Sequence, residues 1–154
     1  MKRLILALGV VALLTFAAGA SAHGGKPTTF TEHMHKVAET SSDMNPCTGD
    51  PGTVTIVQNG VFHITEFADG HVHVTGTGTG TFTFDTTDPS KPDFTGRFTQ
   101  WFGAHSNPNV DNSTSTFTVH GRGTDGSRLQ FHETAHFLVV DGELQVEFDK
   151  IRCG

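Results

Sequence analysis

The chain has 154 residues, 35% of them hydrophobic, with 16 acidic side chains against 10 Lys and Arg and a formal net charge of −6. That length fits one domain. The acidic balance argues against a nucleic-acid or anionic-membrane partner, because each requires a basic face.

Lys2 and Arg3 precede an apolar run from Leu4 to Ala18, and Ala20-Ser21-Ala22 has the small-x-small form cut by signal peptidase. Residues 1–22 therefore read as a signal peptide and residues 23–154 as a single secreted domain. The apolar run is short for a membrane span and no second one follows, so no membrane attachment is expected after cleavage. In an exported chain Cys47 and Cys153 are expected to form a disulfide, and the absence of a CxxC pair argues against a redox or zinc role.

Beyond the leader, runs of Val, Ile, Phe and Thr are punctuated by Asn59-Gly60, Asp69-Gly70, Asp125-Gly126 and Asp141-Gly142, which are strong hairpin signals. A first strand is predicted over 28–38 and a Pro- and Gly-containing loop over 43–52. Strands over 53–58, 61–68 and 71–84 follow. A loop over 85–93 holds Pro89 and Pro92, a fifth strand covers 94–104, and a polar loop covers 105–113. Strands over 114–124, 128–140 and 143–153 complete a count of eight. Neighbours joined by short turns make an up-and-down meander. The expected fold is all-β, a single antiparallel up-and-down β-barrel of about eight strands, with a β-sandwich as the alternative.

Turn arithmetic assigns the faces. A two-residue Asn59-Gly60 turn pairs Ile56 with His63. It places Val54, Ile56, His63, Phe67, the alternating Gly76, Gly78 and Gly80, and Phe82 and Phe84 on one inner face. The glycines there make room for facing phenylalanines. The same turn puts Val57, Phe62 and Ile64 outside, a surface for homo-oligomer contact. A two-residue Asp141-Gly142 turn sets Glu133 opposite Lys150 on the inner face, a charged pair that needs hydrogen bonds or a polar cavity.

His132-Glu133-Thr134-Ala135-His136 has the H-E-x-x-H spacing of zinc proteases, whose chemistry requires a helix. In a strand the two His stand about 13 Å apart and Glu133 points to the opposite face, so the match reads as coincidence. Weak metal candidates are the pair His71 and His73, the pair His33 and His35, and His120, which a three-residue Asp125-Gly126-Ser127 loop sets opposite His132. Mature His23 offers a minor copper-binding alternative through its amine and imidazole. No cofactor is expected, and no catalytic residue is assigned.

The leading expectation is a non-enzymatic binding protein holding a small apolar or amphipathic ligand. Phe82, Phe98 and Phe131 would supply contact, with His63, Glu133 and Lys150 as polar anchors. The alternatives are a small isomerase- or cyclase-type enzyme using His63 or Glu133, and a packed-core surface-interaction protein working through Trp101 and an outer Thr/His face.

Asn45-Pro46-Cys47-Thr48-Gly49, Asn59-Gly60-Val61-Phe62-His63, Gly96-Arg97-Phe98-Thr99 and the stretch from Asp125 to His136 carry a resemblance. On these residues the chain resembles a group of small secreted bacterial β-barrel proteins to which no activity is attached. In outline it is also similar to lipocalin and allene-oxide-cyclase-like barrels, a likeness that implies a fold and transfers no catalytic residue.

Overall fold

The structure, a computed structural model, describes residues 25–154; the expected signal peptide and His23 lie outside the described residues. Seven strands form one antiparallel sheet in chain order: β1 (Thr28–Met44), β2 (Pro51–Glu66), β3 (Val72–Thr86), β4 (Phe94–Ser106), β5 (Val110–Gly123), β6 (Arg128–Val140) and β7 (Glu143–Cys153). The all-β meander stands as expected. β1 and β7 are not hydrogen-bonded to each other, so the sheet is not closed through its ladders.

The count is seven because Asn59-Gly60 is not a turn. β2 runs straight through it, with Asn59 opposite Thr79 and Gly60 opposite Gly78. Gly70, Gly126 and Gly142, in the three Asp-Gly pairs that do turn, have φ between 80° and 85°, while Gly60 stays extended within its strand. Asn59 serves β1 instead. That strand bulges between Met34 and Val37, where Lys36 has φ 51°, and the Asn59 Oδ1 accepts the Lys36 N–H at 3.0 Å. The His35 ring also bonds this oxygen, at 2.9 Å. A bulge leaves an amide without a ladder partner, and Asn59 supplies one.

Removing the false turn moves every side chain after it in β2 to the other face, while Val54 and Ile56 stay inward. The inward residues of β2 are Val54, Ile56, Gln58, Phe62 and Ile64, so Phe62 and Ile64 are not on the outer surface. The core gathers Val54, Phe82, Phe84, Phe94, Phe98, Val119, Leu129 and Phe131 at one end of the sheet. Val54 of β2 and Phe131 of β6 line one cavity, so the sheet curls until strands four positions apart face each other. A disulfide between Cys47, in the β1–β2 loop, and Cys153, at the end of β7, spans a Cα–Cα distance of 5.7 Å and ties the two edges together there.

The alternating glycines of β3 lie under large side chains, as expected of them. Phe62 lies over Gly76, Gln100 over Gly78 and Phe98 over Gly80. A methyl group at position 80 would strike the Val57 carbonyl oxygen and the Phe98 ring, neither of which can yield. At position 78 it meets the Nε2 and Cγ of Gln100, a side chain that can move only by giving up its hydrogen bond to Gln58. Gly80→Ala is therefore expected to cost about 2–3 kcal/mol and Gly78→Ala about 1 kcal/mol, the scale of one such hydrogen bond, read as urea midpoints. Equal losses would mean that the Phe98 contact does not set the spacing.

Candidate functional site

The inner face divides into two halves at Gln58 and Gln100. Their side chains bond across β3, with Gln100 Nε2 donating to Gln58 Oε1 at 3.1 Å. On one side of this bridge is the phenylalanine core. On the other the inward residues Ile64, Val74, Phe102 and Phe137 are only half-covered, and Phe30 is exposed, so the curled sheet leaves an apolar trough.

Glu133 lies level with the bridge. One cross-strand row runs Gly60, Gly78, Gln100, Phe117, Glu133, Ile151. The Phe117 ring packs between those of Phe98 and Phe131, with centroids 5.1 and 6.1 Å away. Glu133 is 8% exposed, and no side-chain hydrogen bond reaches it among the described residues. Burial first, then the charges of Asp149 and Asp43, push its carboxyl up to about 7.

The expected Glu133–Lys150 pair is absent, for a local reason. β7 shifts register between Leu138 and Val139 of β6, with Leu138 opposite Val146 and Val139 opposite Leu144, which leaves Gln145 as the extra residue. One extra residue turns the rest of the strand over. Ile151 therefore stands opposite Glu133, Asp149 points inward beside Ala135, and Lys150 is exposed on the outer face. Burial, followed by the charge of Glu147, raises Asp149, whose Oδ1 is buried without a partner. Burial also raises Asp43, outweighing the Met44 N–H that donates to it at 2.7 Å. The inward positions of the seven strands carry Glu32, Glu39, Asp43, Glu66, Asp111, Glu133, Glu147 and Asp149, and no Lys or Arg.

A small cavity of about 40 Å³ opens beside this cluster, lined by Asp43, Asn45 and the rings of Phe82, Phe84, Phe117 and Phe131. It has room for a water molecule or one small group. Asn45 is 2% exposed. Its Oδ1 is taken by the Cys47 and Thr48 N–H groups at 3.0 and 3.4 Å, which fixes the orientation of the amide. Its Nδ2 is buried with no partner. Periodicity gives no sign of Asn45 or Asp43 as site residues. Asp43 faces inward near the end of β1, opposite Gly52, and Asn45 follows in the β1–β2 loop, which the disulfide ties to β7.

The other candidates disperse. His63 is exposed on the outer face, where its Nδ1 meets the Thr31 hydroxyl at 3.0 Å, so it is no inner anchor. Phe82, Phe98 and Phe131 are buried in the core. His71 Nδ1 lies 3.2 Å from Asp69 Oδ2 and its ring meets that of His105 edge-on at 5.4 Å, while His73 pairs across the sheet with His105. His120 stands opposite Gln130 and His132 opposite Thr118, because the β5–β6 connection is longer than three residues. The H-E-x-x-H residues lie in strand β6, with Glu133 inward and both His on the other face. Among the described residues no group of three or more His, Cys, Asp or Glu could hold a metal ion. No family model, curated protein or solved structure matches the chain.

Proposed function

We propose that the protein is a secreted, non-enzymatic binding protein that takes a small amphipathic ligand with a cationic or N–H-donating head. The single observation carrying this reading is Glu133, 8% exposed beside the Phe117 strand position, with no side-chain hydrogen bond to it among the described residues. A buried carboxylate in that state is costly, and a donor head group relieves the cost. Asp43 and Asp149 extend the negative field, and no inward Lys or Arg competes for it. The apolar part of the ligand lies along the trough against Phe62, Ile64, Val74 and Phe102, because the cavity of about 40 Å³ admits only a small group. The disulfide suits an oxidising, extracellular compartment. Closure of the curled sheet toward a barrel at the β1–β7 seam would complete the walls.

Calorimetry at pH 8 with decylammonium and decanoate tests the reading. Decylammonium is expected to bind, decanoate to fail, and Glu133→Gln to weaken the ammonium by about tenfold, the usual scale for a charge-assisted hydrogen bond. Equal binding of the two amphiphiles, or of neither, would sink it.

The value near 7 favours one second reading, that Glu133 exchanges a proton with a bound substrate in an isomerase- or cyclase-type reaction. Turnover that survives Glu133→Gln would exclude it.

A further inference from the structure

We infer that the outer face of β4–β7, at the disulfide end, is a binding site for an acidic oligosaccharide, separate from the interior. All four arginines of residues 25–154 stand on this face. Its cross-strand rows read Thr95, Arg122, Arg128; then Arg97, His120, Gln130; then Thr99, Thr118, His132, Arg152; then Trp101, Thr116, Thr134, Lys150. From β4 to β7 the one acidic residue at an outward strand position is Glu143, at the end of β7 away from the arginines. None of the four guanidinium groups has a carboxylate within salt-bridge distance among the described residues.

Arg122 and Arg128 are directly opposed, an arrangement that like charges make unfavourable in a sheet. In a chain with a net charge of −6, concentrating the arginines here is not explained by solubility. Arg97, Arg122 and Arg128 rim a shallow depression of about 460 Å³ with Thr95, His120 and Gln130. Guanidinium forks match carboxylate and sulfate oxygens two at a time.

The ligand class follows from what lies beside the arginines. Trp101 is 42% exposed on the same face, four residues beyond Arg97, or about 13 Å along the strand. That span accommodates a few sugar rings, with an indole face at one end for the apolar side of a pyranose. Threonine, glutamine and histidine side chains between them supply hydroxyl partners. A nucleic acid is a long polyanion and would run past the patch over an otherwise acidic molecule. A short acidic oligosaccharide ends within the patch and offers the indole a pyranose face.

Trp101 is the only Trp and there is no Tyr, so indole emission reports on this face alone. The disulfide-intact protein would be titrated with hexagalacturonate, a heparin-derived hexasaccharide, cellohexaose and a thymidine hexamer at low salt. A saturable change in emission is expected with at least one acidic hexasaccharide, weakening as salt rises, and none with cellohexaose. Arg97→Lys/Arg122→Lys keeps the charge and removes the fork, and is expected to weaken binding about tenfold with an unchanged urea midpoint. The inference is overturned if neither acidic hexasaccharide changes the emission, if cellohexaose binds as well, if the thymidine hexamer binds more tightly, or if the double variant binds like the parent.

Discussion

Replacing Glu133 with glutamine is expected to stabilise the protein above pH 7 and to leave it unchanged below about pH 4. The folded state holds the Glu133 proton up to about pH 7, whereas an unfolded chain releases it near the ordinary 4.5. Between those values the unfolded state is ionised and the folded state is not, so stability falls as pH rises and levels off past 7. After allowing for partial solvation of the site, the loss is roughly 2 kcal/mol, or about 5 °C in melting temperature. Asp43 and Asp149 are raised as well and act in the same direction. The glutamine variant loses the Glu133 contribution and should show a flatter profile. Urea midpoints of both proteins at pH 4, 6 and 8 provide the check. Parallel profiles would mean that Glu133 is paired or solvated in solution.

The second large effect is expected from the disulfide. The bond closes a loop with a sequence separation of 106, and the Cys47→Ser/Cys153→Ser variant should lose roughly 4–5 kcal/mol. The loss should depend on pH. The same bond fastens the loop after Asp43 to the strand that carries Asp149, and Asp43 and Asp149 both raise Glu133. Untying the edges relieves that repulsion, which exists only where the carboxyls are ionised, so the loss should be smaller at pH 8 than at pH 5. Urea unfolding at the two pH values measures the difference. Equal losses would show that the edges stay together without the bond.

The all-β meander, the Cys47–Cys153 pairing and the inward glycines of β3 were legible because each rests on local chemistry. Asp69-Gly70, Asp125-Gly126 and Asp141-Gly142 turn where glycine adopts positive φ. Asn59-Gly60 has the same letters, but its asparagine caps a bulge in the neighbouring strand. Periodicity within β2 cannot reveal that, although the length of β3 calls for one long partner rather than two short ones. His63 was misplaced because a false turn inverts strand parity. Lys150 was misplaced because one bulged residue, Gln145, does the same. Glu133 was found because it interrupts an apolar face in its own strand, whereas Asp43, Asn45 and Asp149 are brought to it by the bulge, the curl and the disulfide.

The Cys47–Cys153 bond also bears on how the protein meets proteases. All five connections from β2 to β7 lie between the two cysteines in sequence. A single cut in any one of them leaves both fragments covalently joined, with every remaining hairpin still laddered to its neighbours. Such a nicked molecule can keep the inner and outer faces in place. Only a second cut within the loop, or reduction of the bond, would release a fragment.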